Sequence, residues 1–146
     1  PPAASLAVSN WPCPRWRNLE AQPHNTARDV AGLKVFVVED ESLVAMQLED
    51  MLFDLGCEVV GLAMRLKRAH DMLDSGMAID VAILDVNIGG EKIYPVATRL
   101  RDAGIPIVFA TGYGREGLET EWQVCPVLQK PYSASQIEHS ILAVTD

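Results

Sequence analysis

From Leu33 to the end, short apolar runs alternate with stretches whose apolar residues fall at helical spacing, five times over. The connections between them are short. No other feature restricts the fold as far, because this pattern implies a parallel sheet covered on both faces by helices and joined by right-handed crossovers. The runs are Leu33–Val38, Glu58–Ala63, Val81–Leu84, Ile105–Ala110 and Pro126–Gln129. Val81–Leu84 is unbroken and reads as a strand buried on both faces. It ends in Asp85, followed by Val86, Asn87 and the pair Gly89-Gly90. Alone, Asp85 could simply open a turn. In open α/β sheets, however, ligands bind outside the carboxyl ends of the strands, and Asp85 stands there.

The helical segments follow from period and punctuation. After the first strand, Val44, Leu48, Met51, Leu52 and Leu55 keep helical spacing until Gly56. Further helices are predicted over residues 65–74, 93–103 and 135–144. The segment 115–123 is the poorest, with Gly114 and Gly117 close by and only Leu118 and Trp122 apolar. It is predicted to be a weak helix and a mobile one, since little apolar area would pin it.

Residues 1–31 differ in texture. Pro1, Pro2, Pro12, Pro14 and Pro23 interrupt them, and no period of 2 or 3.6 is sustained. This predicts an arm or linker with little order. Trp11 and Trp16 leave open a segment that folds back on an apolar patch or docks a partner. The chain opens on Pro1 without a Met, which suggests a processed start or a piece of a longer protein. Residues 32–146 are predicted to be one domain, an ordinary size for a single core.

Charge excludes one class of partner. Twenty acidic against twelve basic residues give a net charge of −8, which argues against direct nucleic-acid binding. No apolar run is long enough to cross a bilayer, and no signal-peptide layout is present, so a cytoplasmic protein without membrane contact is expected. Cys13, Cys57 and Cys125 are odd in number and widely spaced, as expected of reduced thiols. His24, His70 and His139 lie away from the strand ends and read as surface residues.

The strand ends carry the chemistry. The first strand ends in Glu39 and Asp40, the third in Asp85, the fourth in Thr111 and the last in Lys130. Three carboxylates near one point repel unless a cation holds them ionised. A hard divalent ion suits them, and Mg²⁺ best, since it accepts one or two carboxylates, keeps waters and completes its shell from phosphate. Lys130 offers an ammonium to the same point. Such a set suits phosphoryl acceptance. The carboxylate of Asp85 acts as nucleophile, the cations neutralise the transferred group, and the Thr111 hydroxyl donates a hydrogen bond to it.

On these residues the chain from Leu33 onward resembles the CheY-like receiver domain of two-component response regulators. The resemblance implies a doubly wound sheet in the flavodoxin-like order 2-1-3-4-5. It implies Mg²⁺-dependent phosphorylation of Asp85 by a histidine kinase or phosphotransfer protein, with slow autodephosphorylation and no other enzymatic turnover. It further implies metal ligation by Glu39, Asp40, Asp85 and the main-chain carbonyl of Asn87, with Thr111 as a switch residue and Lys130-Pro131 closing the site. Two departures matter. Val127 occupies the place where receivers commonly carry an aromatic switch residue. Phe109-Ala110-Thr111-Gly112-Tyr113 instead resembles the signature of the FATGUY subgroup, which acts in stress-response or blue-light-linked pathways. Tyr113 could supply the missing aromatic or be a plain surface residue. Where receivers usually have Met-Pro after the acceptor, this chain has Ile88-Gly89, and glycine there permits a freer backbone.

The expected output is a switched protein-binding surface around the segment 112–123 and the last strand and helix, read by a downstream partner or an effector domain. No effector segment follows the last helix, so a stand-alone receiver is expected, or one joined through residues 1–31 to a domain ahead of it. Two other classes remain: a Mg²⁺-dependent aspartyl-phosphate phosphatase, and a receiver-like binding module that is never phosphorylated. The first usually carries D-x-D on its first strand, which Glu39-Asp40-Glu41 does not provide. The second usually loses the acidic pair or the lysine, and both are kept here.

Overall fold

The computed structural model describes residues 29–145. The arm predicted over residues 1–31 lies outside them except for its last three residues. Of these, Val30 is fully buried and its carbonyl accepts a hydrogen bond from the Cys57 thiol at 3.4 Å. Burial pushes that thiol up to about 11, which leaves it inert near neutral pH.

The elements in order are β1 (Lys34–Val38), α1 (Ser42–Asp54), β2 (Glu58–Ala63), α2 (Leu66–Asp74), β3 (Val81–Asp85), β4 (Asn87–Ile88) and β5 (Glu91–Lys92). They continue with α3 (Tyr94–Asp102), β6 (Ile107–Thr111), two single 3₁₀ turns (Arg115–Gly117 and Thr120–Trp122), β7 (Val127–Gln129) and α4 (Ala134–Thr145). Five strands form one parallel sheet in the order β2-β1-β3-β6-β7, the doubly wound arrangement that the alternation implied. No described helix is long and apolar enough to cross a membrane.

Period 2 along the central strands divides the core into two layers. Val35, Val37, Val81, Ile83 and Val108 face Leu48 and Leu52 of α1 and Ile137 and Ile141 of α4. Phe36, Val38, Ala82, Leu84 and Phe109 face Ala69 of α2 and Val96, Ala97 and Leu100 of α3. Both faces are covered, so β1, β3 and β6 read as continuous apolar runs. At the end of α1, Gly56 takes φ +86°, and the Cys57 amide turns back to the Leu52 carbonyl at 2.9 Å. That geometry stops the helix and sends the chain into β2.

Two elements differ from the sequence reading. The helix predicted over 115–123 is instead the two 3₁₀ turns, separated by extended backbone at Leu118 and Glu119. Side chains bond to its backbone carbonyls instead: Arg115 Nη1 donates to the Gln123 carbonyl at 2.6 Å, and Gln123 Nε2 to that of Leu118 at 3.0 Å. Nor is the segment loosely held, because Leu118 and Trp122 are both buried in the core. The second difference is the antiparallel hairpin β4–β5, too short for periodicity to reveal. Gly89 and Gly90, at φ +60° and +86°, form its two-residue turn, the backbone such tight hairpins require.

Candidate functional site

Parallel register aligns the carboxyl ends of the strands. Leu84 of β3 lies opposite Val38 of β1 and Phe109 of β6, and Thr111 opposite Gln129 of β7. The residues just beyond are therefore brought to one edge. The Lys130 amide donates to the Thr111 carbonyl at 2.9 Å, extending the β6–β7 ladder by one step. The Lys130–Pro131 peptide that follows is cis.

The side chains converge. Lys130 Nζ lies 2.9 Å from Glu39 Oε1 and 3.1 Å from Asp85 Oδ2, with Glu41 Oε1 further off at 3.8 Å. One oxygen each from Glu39, Asp40 and Asp85 fall within 4.8 Å of one another. Glu39 Oε2 accepts from the Glu41 amide at 3.1 Å, and Asp40 Oδ2 from the Gly89 amide at 2.8 Å. The latter bond ties the hairpin turn to the acidic cluster. Beside these groups opens a cleft of about 340 Å³ lined by Asp40, Glu41, Asp85, Asn87, Thr111, Gly112, Tyr113 and Lys130. Thr111 is buried and its Oγ1 accepts from the Tyr113 amide at 3.2 Å. Tyr113 is three-quarters exposed, at 75%.

Six of the seven residues singled out from the sequence thus line one cleft, and the seventh, Glu39, is buried against Lys130. The sequence reading missed Lys92, whose Nζ donates to Asn87 Oδ1 at 2.8 Å from across the hairpin. The run Asn-Ile-Gly-Gly-Glu-Lys is the turn signal that would have revealed it.

The electrostatics follow from burial. Glu39 is 1% exposed, and desolvation pushes its carboxyl up to about 7. The bonds from Lys130 and the Glu41 amide oppose the rise, and the charge of Asp85 adds to it. Burial works to lower Lys130, but its bond to Glu39 and the charges of Asp85 and Glu39 outweigh that and hold it above the usual lysine range. Three carboxylates with oxygen donors this close fit a hard divalent cation, and Mg²⁺ there would hold Glu39 ionised.

A pH dependence follows. Because folding raises the Glu39 carboxyl from 4.5 to about 7, the folded state binds the extra proton between those values. This contribution is full below pH 4.5 and is lost as pH rises through 7, a fall in metal-free stability of up to about 3 kcal/mol. Lys130 titrates above its ordinary range and stays out of this window. Urea unfolding from pH 5 to 8 in chelator is expected to show the fall in the native chain and not in Glu39→Gln. Equal slopes in the two proteins would remove Glu39 as its source.

Fold and site together define a class. Residues 35–142 match the model of the response regulator receiver domain, and the chain belongs to that family. The sensory transduction protein LytT of Bacillus subtilis (strain 168) is 32% identical over 114 residues, covering 75% of this chain and 46% of LytT. The chain thus spans less than half the length of that relative. The solution structure of SdrG from Sphingomonas melonis Fr1 is 39% identical with a TM-score of 0.71, over 79% of this chain and 98% of SdrG. A BeF3-activated conformation of SdrG, described as from Pseudomonas melonis Fr1, is 40% identical with a TM-score of 0.68, over 80% and 98% of the two chains. A mutant form of the anti-anti-sigma factor PhyR from Bartonella quintana is 26% identical with a TM-score of 0.69, over 88% of this chain and 54% of PhyR.

Proposed function

We propose that this receiver domain accepts a phosphoryl group on Asp85 from a histidine kinase or phosphotransfer protein and thereby switches a protein-binding surface. The observation that carries the reading is the Lys130 ammonium set between Glu39 Oε1 and Asp85 Oδ2 at the rim of an open cleft. It balances charge on an acceptor that needs no general base. In transfer from a phosphohistidine, an Asp85 oxygen forms the new bond to phosphorus as the P–N bond breaks, and the imidazole leaves with the electron pair. Lys130 faces the developing charge, and the Thr111 hydroxyl, which accepts from the Tyr113 amide, keeps its own O–H free to donate to a phosphoryl oxygen. Mg²⁺ held by Asp40, Asp85 and the Asn87 carbonyl, with Glu39 beneath, would neutralise the remaining oxygens.

The 109–113 motif and Val127 support placement in the FATGUY subgroup, with Thr111 and Tyr113 as the switch. The likeness to PhyR, described as an anti-anti-sigma factor, supports output by binding another protein. The test uses the full chain with acetyl phosphate as donor. A phosphoryl mass gained with Mg²⁺ and not in chelator, mapped to Asp85 after borohydride reduction, is the expected result. No gain of mass, or a label at another residue, overturns the assignment.

A further inference from the structure

We infer that Lys92 is a positioning residue that sets the lifetime of the phosphoryl group by fixing the side-chain amide of Asn87. The inference rests on the acceptor reading above and adds a residue to it. Asn87 and Lys92 are paired across the β4–β5 hairpin, so their side chains share one face, while Ile88 turns inward and is buried. The turn is itself held to the site by the bond from the Gly89 amide to Asp40 at 2.8 Å. Lys92 therefore reaches Asn87, which lines the cleft, from a frame anchored to the acidic cluster.

An ammonium has only donors, so the atom facing Lys92 Nζ at 2.8 Å is the side-chain oxygen of Asn87, Oδ1, and not its main-chain carbonyl. Its NH₂ group is then left for the cleft that Asn87 shares with Asp85, Thr111 and Lys130. Two N–H donors beside the acceptor can bind a phosphoryl oxygen and occupy the approach of water. Loss of the group is attack of water on phosphorus. The P–O bond to Asp85 breaks, the carboxylate leaves with the electron pair, and the water's proton is released as inorganic phosphate forms. Without Lys92 the amide can turn its oxygen to the cleft, where its lone pairs repel the phosphoryl group and accept a hydrogen bond that orients the attacking water. The clamp slows hydrolysis.

The experiment labels the full chain with acetyl phosphate and Mg²⁺, removes the donor and follows the loss of phosphoryl mass. Lys92→Met is expected to shorten the half-life about threefold to tenfold, the net range of one ordinary hydrogen bond, as suits an exposed one. Lys92→Arg, which can still donate, should keep it near native. In an Asn87→Ala background, Lys92→Met should change nothing further, because the residue acts through that amide. An equal effect in both backgrounds, or none in the native one, overturns the inference. NMR of the unphosphorylated protein reads the clamp independently of labelling. The Asn87 side-chain amide signals should be set apart from those of free asparagines in the native chain and collapse toward them in Lys92→Met. Signals that do not move overturn the clamp even if the chain takes no label, whereas moved signals without label overturn only the acceptor reading.

Discussion

Asp85→Asn is expected to abolish phosphoryl labelling while leaving the fold intact. In the proposed transfer the nucleophile is the carboxylate itself, and an amide oxygen cannot form a persisting acyl phosphate. Two opposed electrostatic changes keep the stability cost small. The variant removes a charged partner of Lys130 at 3.1 Å, and it removes the like charge that Asp85 imposes on buried Glu39. Asn also keeps a carbonyl oxygen for the lysine. The unfolding free energy should therefore stay within about 1 kcal/mol of native, as for an isosteric change whose gains and losses offset. Loss of one of three converging carboxylates should weaken Mg²⁺ binding by roughly tenfold or more, read by calorimetry. Undiminished labelling with acetyl phosphate would exclude Asp85 as acceptor. Labelling lost together with the cooperative unfolding transition would mean that the variant acts through the fold.

The reach of the sequence is itself a physical result. Glu39, Asp40, Asp85, Thr111 and Lys130 were legible because a parallel sheet carries every strand's carboxyl end to one edge, so order along the chain becomes proximity in space. The buried strands announced themselves through apolar runs such as Val81–Leu84. Lys92 stayed hidden for the opposite reason. It belongs to a two-residue strand, and two residues carry no period, so only the Gly-Gly turn betrays the hairpin. The segment after Thr111 misled in another way. Helical spacing counts apolar residues one at a time, and two of them looked too few. Trp122 meets its neighbours through ring geometry that no period encodes.

That segment yields the largest expected loss of stability. Trp122 is 1% exposed. Its ring stacks on Tyr94 at 6.0 Å with 23° between planes and meets the Phe109 edge at 5.9 Å and 77°. The Arg101 guanidinium lies 4.7 Å over it, held there by Glu121 at 2.9 Å. Phe109 belongs to β6, two residues before Thr111, and Tyr94 opens α3 just after the β4–β5 hairpin. Tyr94 also accepts the Glu119 amide at 3.0 Å. Trp122 therefore clamps together the strand that leads into Thr111 and the start of the helix that follows the Asp85 loop and hairpin. Trp122→Ala should cost about 3–5 kcal/mol, the transfer term of a large aromatic plus the cavity it leaves. Trp122→Phe keeps one ring and should cost less than half as much, since it retains part of the stacking on Tyr94. Circular dichroism in urea reads both without relying on the indole removed. A loss below about 0.5 kcal/mol is what a loosely held surface segment would give, and it would return this stretch to the mobile role its sequence suggests. A loss in the full range means that any switching here moves a packed aromatic unit as a body, with Thr111 and the hairpin at its two ends.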